Sequence, residues 1–373
     1  MQTVIQRVHI PDTARLFMIS DLHGHGEGLL HLLRRAQFGR QDVLVIVGDI
    51  VEKGPQSLET LRTVMQLCRE YSVYPLMGNV DLLRFQWLMS DDAQLQQTML
   101  RYSISAEKWW HSSFLGEMCR EAGWELSQEM DTQAVFPILR ERFKAELDFL
   151  ASLPTVLETQ QVIFVHGGLP HEALSALNGT DVQPLLKWDH FWQDGLRFQK
   201  YVAVGHWPTA LYRSEARHHP IIDHERHILC LDGGCGLKDD GQLNLLEMPN
   251  PDVPAFTLHT WCPQPVIIAE EAQAEQPAGV YIHWGDHAVT VLSSDGQTAR
   301  ILHHGRELRV PARLLYQQDG ADCCDDYTDY RPPVAAGERL HLVYETPGGC
   351  YVKKGSRSGW YMGRYSPSSH TAL

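Results

Sequence analysis

The chain has 373 residues, 43% of them hydrophobic and 21% charged, which is typical of a globular protein long enough for more than one domain. Its net charge of −14 argues against a general binder of nucleic-acid polymers or of anionic membranes. Residues 1–15 contain no predicted signal peptide, and no apolar run approaches the roughly 20 residues of a membrane helix. The eight cysteines form no Cys-x-x-Cys pair, which favours reduced thiols in a cytoplasmic protein.

The first part of the chain alternates apolar runs of strand type with amphipathic helical stretches, the pattern of an α/β protein. Strands are predicted at 16–20, 43–47 and 73–77, and helices at 26–36 and 57–71. Each apolar run ends abruptly in polar residues and glycine, so we expect tight turns at the strand ends.

Residues 82–153 are predicted to form a helix-rich insertion, which carries aromatic residues but no chemical motif. Apolar strands resume after it, at 162–165, 201–204, 228–231 and 242–248. The two sets of strands therefore belong to one α/β domain that the helical insertion interrupts.

The composition changes near 248–254, where prolines cluster, and short β-like segments with turn residues follow. We predict a first domain at 1–255, a linker at 256–278 and a small all-β, barrel-like domain at 279–373. The acidic stretch 321–333 is predicted to be a solvated loop of this second domain.

Polar side chains that can bind metals follow most strands of the first domain, and each has a glycine close by. They are Asp21, His23, Asp49, Asn79, His166 and His206. In open α/β sheets, ligands bind at the carboxyl edge of the strands. Two carboxylates, three imidazoles and an amide oxygen can hold two divalent cations if one carboxylate bridges them. Such a pair of cations can clamp a phosphoryl group and activate a water molecule.

These motifs resemble, in order and wording, those of the metallophosphoesterase (calcineurin-like) superfamily. The quoted motifs are Asp21-x-His23-Gly24, Gly48-Asp49-x-Val51-x-x-Gly54, Gly78-Asn79-x-Asp81, His166-Gly167-Gly168 and Gly205-His206. The chain is most similar to the branch of phosphoprotein phosphatases that includes bacterial diadenosine tetraphosphatases. The resemblance covers about residues 14–248 and implies a β-sandwich of two packed sheets flanked by helices.

The resemblance also implies the role of each motif residue. The first metal would be held by Asp21, His23 and Asp49, and the second by Asp49, Asn79, His166 and His206. Manganese is the cation we expect first, with iron, zinc and nickel as alternatives. Hydrolysis would proceed by in-line attack of a hydroxide that bridges the two metals, without a covalent enzyme intermediate.

Several positions depart from the family pattern. Val80 stands where the family usually has a histidine that protonates the leaving group, and Asp81 replaces a glutamate. We consider His25 as a replacement acid and count Asp81 with the catalytic residues. Lys53 replaces an arginine that contacts phosphate, and it keeps the charge but loses the bidentate fork. Arg197 is a candidate for a second phosphate contact.

These observations predict a metal-dependent phosphoesterase acting on phosphomonoesters, including phosphoprotein side chains. A dinucleoside polyphosphate hydrolase or other phosphodiesterase is the alternative within enzymes, since a good leaving group needs less protonation and Val80 cannot supply a proton. A catalytically weak, metal-binding docking module is the alternative from another class. We expect a phosphorylated substrate, no nucleic-acid polymer and no membrane, and the second domain is the candidate for binding a protein partner.

Overall fold

The computed structural model describes residues 1–249 and 255–368, which group into two units. Unit 1 contains Met1–Thr209 and His219–Cys262, and unit 2 contains Ala210–His218 and Pro263–Leu373, each as far as it is described. Most of the proline-rich stretch on which the predicted domain boundary rests lies outside the described residues. Within those residues, no helix has both the length and the apolar character needed to cross a bilayer.

The strands of unit 1 are short. In chain order they are β1 (Ile5–Arg7), β2 (Leu16–Ile19), β3 (Val43–Ile46), β4 (Ser72–Pro75), β5 (Val156–Glu158), β6 (Val162–Val165), β7 (Tyr201–Val204), β8 (Ile221–Asp223), β9 (Ile228–Cys230), β10 (Leu243–Met248) and β11 (Thr257–Trp261). Among the described residues they form two sheets, with strand orders β1-β5-β6-β7-β9-β8 and β11-β10-β2-β3-β4. Strands β2, β3 and β4 are parallel, and so are β6, β7 and β9. Their carboxyl ends therefore meet at one edge of each sheet.

Helices connect and cover these strands. They are α1 (Gly26–Arg35), α2 (Ser57–Glu70), α3 (Asn79–Met89), α4 (Ala93–Trp110), α5 (Phe114–Ala122), α6 (Thr132–Arg142), α7 (Lys144–Ser152) and α8 (Gln183–Leu186). Helices α3 to α7 fill the stretch where the sequence predicts a helix-rich insertion. Three of them are preceded by an N-cap residue whose side chain accepts hydrogen bonds from the first turn, namely Asp92, Ser113 and Asp131.

The central strands of unit 1 are buried on both faces. On β2, Leu16 and Met18 pack in a core that contains residues of both sheets, whereas Phe17 and Ile19 pack in a second core with the helices. This division follows from the alternation of side chains along a strand. The predicted β-sandwich flanked by helices is thereby confirmed.

Strand β11 lies inside the stretch that the sequence assigns to a linker. It pairs antiparallel with β10 and extends the second sheet at its edge. Trp261 at its end packs so closely on α1 that a Cβ added to Gly28 would come within 2.4 Å of the indole. Strand β11 is an edge strand with a largely polar composition, so its amino-acid sequence resembles that of a linker. Its pairing with β10 is what identifies it as a strand.

Unit 2 consists of antiparallel strands. They are β12 (Val266–Ala269), β13 (Tyr281–Ile282), β14 (Thr290–Ser294), β15 (Thr298–His303), β16 (Arg306–Pro311), β17 (Leu315–Gln318), β18 (Ala321–Cys324), β19 (Tyr327–Thr328), β20 (Arg339–Thr346), β21 (Gly349–Lys354), β22 (Arg357–Tyr361) and β23 (Tyr365–Pro367). This confirms the predicted small all-β domain. Strand β12 also falls within the predicted linker, yet it pairs with both β20 and β23. The acidic stretch 321–333 contributes β18 and β19, with Cys324 and Tyr327 in the core, so its prediction as a solvated loop was wrong.

Unit 2 also contains a segment from the middle of the chain, Ala210–His218. The amide of Ser358 donates to the carbonyl oxygen of Ala216 at 2.9 Å, and the amide of His218 donates to the carbonyl oxygen of Ser356 at 2.8 Å. Glu215 and Arg357 form an ion pair at 3.1 Å. The segment therefore lies antiparallel along β22, the edge strand of its sheet.

Candidate metal centre

The six predicted metal ligands all lie in unit 1, in the turns that follow strands or at the first residue of a helix. The turns after β2 and β3 are joined by backbone hydrogen bonds that continue the pairing beyond the strands. The amide of Asp21 donates to Gly48 at 3.1 Å, and the amide of His23 donates to Asp49 at 3.0 Å. These bonds hold the first three predicted ligands side by side.

Asp21, His23 and Asp49 form a buried group whose ligand atoms lie within 4.8 Å of one another. His23 Nε2 is 3.8 Å from Asp21 Oδ1 and 3.6 Å from Asp49 Oδ2. His23 Nδ1 lies 3.3 Å from the carbonyl oxygen of Val51, so Nδ1 donates and Nε2 carries the lone pair. Burial, together with the charge of Lys53, lowers the pKa of His23 to about 3, which leaves its ring neutral, as metal binding requires.

Asn79, His166 and His206 form the second group. Asn79 Oδ1 lies 2.9 Å from His166 Nε2 and 2.9 Å from His206 Nδ1. His166 Nε2 is also 3.5 Å from Asp49 Oδ1. Asp49 thus touches both groups with different oxygen atoms, which is the position that a bridging carboxylate needs.

The charges of this cluster favour a cation between the carboxylates. Asp21 Oδ1 is buried and has no hydrogen-bond partner, and burial with the nearby Asp232 raises the pKa of Asp21 well above its usual range. Burial by itself lowers the pKa of His166, but the charge and hydrogen bond of Asp49, the charge of Asp21 and the backbone bond to Val47 together outweigh it and raise that pKa to about 10. A proton on His166 therefore balances the carboxylates, and carboxylate and imidazole are also donor types that divalent transition metals favour.

Further contacts orient the imidazoles. His166 Nδ1 donates to the carbonyl oxygen of Val47 at 2.8 Å, and His206 Nε2 lies 2.7 Å from Asp189 Oδ1. Such partners fix the ring orientation of metal-binding histidines and raise their basicity. The sequence analysis missed Asp189, because it lies in a loop with no strand end or glycine motif to mark it.

The sequence profile of the calcineurin-like phosphoesterase family matches residues 14–253 of this chain. The chain belongs to the calcineurin-like phosphoesterase family. A curated relative, the symmetrical bis(5′-nucleosyl)-tetraphosphatase of Photobacterium profundum, is 43% identical over 67 residues, which are 18% of this chain and 24% of the relative. The protein of the same name from Vibrio cholerae serotype O1 gives the same identity, length and shares. The chain thus spans about a quarter of the length of the curated relatives it matches.

Solved structures are also similar to this family member. One is a protein serine/threonine phosphatase from Saccharomyces cerevisiae, with a TM-score of 0.42 and 15% identity over 69% of this chain and 83% of that one. Another is a cold-active protein-tyrosine phosphatase of a psychrophilic Shewanella species, with a TM-score of 0.40 and 17% identity over the same shares of the two chains.

The turns of this candidate centre have an uncommon backbone. Four of the six predicted ligands have positive φ, namely Asp21, His23, Asp49 and His206. Residues held in this conformation cluster at functional sites, because the surrounding structure must stabilise them. Gly205 lies so near that an added Cβ would be 2.3 Å from Asp21 Oδ2, which explains why this turn requires glycine.

Asp81 was predicted to be catalytic, and the structure places it behind the ligands. Asp81 Oδ1 accepts hydrogen bonds from the amides of Ile50 at 2.9 Å and Val51 at 3.1 Å, and Oδ2 accepts from Gly78 at 3.1 Å. The side chain is buried, and its oxygens hold the turn that carries Asp49 and the start of α3. We therefore correct its role to that of a positioning residue.

Other predicted residues differ in how near they lie to the centre. The amide of Val80 donates to Asp49 Oδ1 at 2.9 Å, and its side chain is buried. Lys53 has a positive φ of 60°. Its charge is the second largest cause, after burial, of the lowered pKa of His23. The charge of Lys53 also acts on Asp49 and Asp232, so Lys53 supplies positive charge to this part of the structure.

The ring of His25 makes a hydrogen bond to the backbone of the predicted ligand His23, whereas Arg197 has no contact with the six ligands in the described part of the chain. His25 Nδ1 donates to the carbonyl oxygen of Leu22 at 3.1 Å, and its ring lies 5.9 Å from that of Trp261. Arg197 forms an ion pair with Glu225 at 2.7 Å, and both side chains are exposed. The phosphate contact predicted for Arg197 is not supported, because its guanidinium is already paired at the surface.

A buried ion pair supports the turn that carries Lys53, and the sequence analysis missed it. Arg84 Nε donates to Glu52 Oε2 at 3.0 Å, with both side chains almost fully buried. The guanidinium also lies 3.8 Å from the ring centre of Tyr102 and 4.9 Å from that of Trp87. The pairing joins residues 32 positions apart in the chain, so no local pattern predicts it.

Replacing Arg84 by methionine should lower the free energy of unfolding by about 3–5 kcal/mol, because Glu52 would be left as an unpaired buried charge. The double variant Arg84→Met/Glu52→Gln should lose less unfolding free energy than the sum of the losses in the two single variants. Urea unfolding followed by tryptophan fluorescence measures both effects. The matched control is Arg197→Met, which breaks an exposed pair and should cost less than about 1 kcal/mol. Equal losses at Arg84 and Arg197 would contradict the prediction.

Proposed function

We propose that this chain hydrolyses phosphoric esters with two divalent metal ions, manganese foremost, held by the six side chains of the centre. The observation that carries the proposal is the position of Asp49, whose two oxygens face His23 on one side and His166 on the other. The unpartnered buried oxygen of Asp21 adds support, since a buried carboxylate oxygen without a partner is costly in the absence of a cation.

When bound, such metals supply Lewis acidity toward the phosphoryl oxygens and activate water. The protein's own part is to present the donors in the right state. Burial and the nearby charge of His166 lower the pKa of His206 to about 4, so that its ring is neutral and Asp189 can fix its orientation. Lys53 would bring positive charge to the phosphate as a single point charge, and Asp81 would keep the Asp49 turn rigid.

The substrates we propose are phosphomonoesters, including phosphorylated protein side chains. A second candidate is a dinucleoside polyphosphate or other diester. Two observations favour it: Val80 offers no proton for a leaving group, and the matched relatives are named symmetrical bis(5′-nucleosyl)-tetraphosphatases. We also propose a cytoplasmic location, supported by the unbridged buried thiols of Cys119, Cys323 and Cys324. A protein partner for the C-terminal domain stays a prediction.

The deciding experiment compares initial rates on an aryl phosphate monoester, its bis-aryl diester and diadenosine tetraphosphate, after the protein has been reloaded with Mn²⁺. Faster hydrolysis of the monoester supports the first candidate. Faster hydrolysis of the diester or of the tetraphosphate supports the second. No hydrolysis of any of the three, with two metals bound, would contradict the proposed activity for these substrate classes and favour the docking module.

Replacing Val80 by histidine should raise the rate on alkyl phosphate monoesters by about 10²-fold, because a positioned general acid contributes that much when the leaving group is poor. The rate on an aryl phosphate should change little, since a phenolate leaves without protonation. The ratio of the two rates is the measurement. Val80→Asn is the matched control, because asparagine is polar like histidine and similar in size to valine, but its side chain cannot act as a general acid. The same ratio in both variants would contradict the prediction.

A further inference from the structure

A second group of metal-binding side chains lies in unit 2, at the tip of the β15–β16 hairpin and in the loop after β13. Asp286, His303 and His304 each offer one ligand atom, and these atoms lie within 4.8 Å of one another. Asp286 Oδ1 accepts a hydrogen bond from His304 Nε2 at 2.8 Å, and Asp286 Oδ2 is 3.7 Å from His303 Nε2. The proposed hydrolysis uses none of these residues.

The hydrogen bond of His303 determines which of its nitrogens can bind a cation. Its side chain is buried, and Nδ1 lies 3.1 Å from the carbonyl oxygen of Ala288. Because a carbonyl oxygen only accepts, Nδ1 carries the hydrogen, and in the neutral ring the lone pair is on Nε2. That lone pair faces a carboxylate oxygen of Asp286 at 3.7 Å, which is too long for a hydrogen bond. Two acceptors that face each other at this distance are stabilised by a cation between them.

The charges around Asp286 leave room for such a cation. Among the described residues, only the two imidazoles lie within ion-pair distance of its carboxylate. Arg306, which follows the hairpin turn, is instead paired with Asp329 at 2.6 Å. No arginine or lysine in the described part of the chain therefore neutralises the carboxylate of Asp286.

The fold holds the three residues in place. The hairpin turn is His304-Gly305, with φ of 46° and 76°, and the rings of His303 and His304 lie 4.2 Å apart. Ile282, just before the loop, packs in the same core as Ile301 of the hairpin. The ligands are thus presented by elements that a common core fixes, as a binding site requires.

We propose that Asp286, His303 and His304 bind a divalent transition-metal ion of the zinc type. A carboxylate with two neutral imidazoles is a donor set that zinc and its neighbours favour. The backbone bond of His303 Nδ1 is the contact that such ligands commonly make with their second nitrogen. The bound ion joins the 283–287 loop to the hairpin, and three protein ligands leave a further coordination position open to solvent.

The test is equilibrium dialysis of the full chain against micromolar Zn²⁺, with bound zinc counted by mass spectrometry. The variants are Asp286→Asn and His304→Asn, both at solvent-accessible side chains, with circular dichroism to check folding. The matched control is His287→Asn in the same loop, where His287 Nδ1 accepts from the amide of Gly285 and its ring stacks on Trp284. The centre in unit 1 contributes equally to all four proteins, so their difference reports the second site.

We expect the wild type and His287→Asn to bind one equivalent of zinc more than Asp286→Asn and His304→Asn. Hydrolysis rates should be the same in all four, because none of the substituted residues belongs to the proposed catalytic centre. Equal zinc counts in all four proteins would overturn the proposal and make the group an ordinary hydrogen-bonded cluster. A loss of zinc in His287→Asn as large as in the other variants would overturn the assignment of these three ligands.

Discussion

Replacing Asp49 by asparagine should reduce hydrolysis of an aryl phosphate by about 10³-fold or more, because the variant lacks the charge that both metal positions would share. Asp49 also accepts a hydrogen bond from the amide of Val80, which an asparagine oxygen can still accept. The turn should therefore stay folded while the electrostatic role is lost. The measurements are kcat/KM with Mn²⁺ and the number of metal ions bound per chain.

The matched control for this variant is Asp148→Asn, at a side chain that is 64% exposed and pairs with Lys144. It should leave both measurements unchanged. The comparison also separates the two classes of function: an enzyme loses turnover in Asp49→Asn, whereas a docking module keeps its affinity for a partner. Turnover at the wild-type rate in Asp49→Asn would show that the cluster is not the catalytic centre.

Replacing Gly78 by alanine should strongly reduce activity, because the new methyl group has no space beside Asp49. An added Cβ would lie 2.1 Å from both the amide nitrogen and Oδ1 of Asp49. The φ of Gly78 is −95°, a value that any residue adopts, so the expected effect is purely steric. We expect a fall in rate of about 10²-fold or more and a loss of about 1–3 kcal/mol in the free energy of unfolding. Steady-state rates and urea unfolding measure the two.

Gly39→Ala is the matched control for overpacking. A Cβ there would meet only Asp42 Oδ2, at 3.8 Å, which is an ordinary contact. Its rate and unfolding free energy should stay close to those of the wild type. A wild-type rate in Gly78→Ala would contradict the prediction, because it would mean that Asp49 can shift to make room for the methyl group without loss of activity.

Much of the fold of unit 1 could be predicted because its central strands are buried on both faces. Burial on both faces makes 16–20 and 43–47 continuous apolar runs, and the polar residues after them mark the strand ends. The six predicted ligands come together for the same reason, since parallel strands carry their carboxyl ends to one edge. Strand β11 was missed because an edge strand needs little apolar character.

The supporting residues of the centre could not be predicted in the same way. Asp189 and Arg84 act through contacts with residues that are distant in sequence, and no local pattern records such pairs. Asp81 was predicted as catalytic because it lies in a motif, although its oxygens are used by backbone amides. Arg197 was chosen for its charge and its place in the chain, and neither property reveals that it pairs with Glu225.

Because it includes the segment Ala210–His218, the second unit is not formed by the C-terminal part of the chain alone. The polypeptide crosses between the units after Thr209, again before His219, and a third time after Cys262. A protein cut at Cys262 would keep 210–218 but lose β22, whose edge supplies its hydrogen bonds. The segment that would lose its hydrogen-bond partners begins four positions after the predicted metal ligand His206. Each unit therefore contains two separate segments of the chain, and a truncation after Cys262 removes part of unit 2 while it leaves another part behind. Activity assays should accordingly use the full chain.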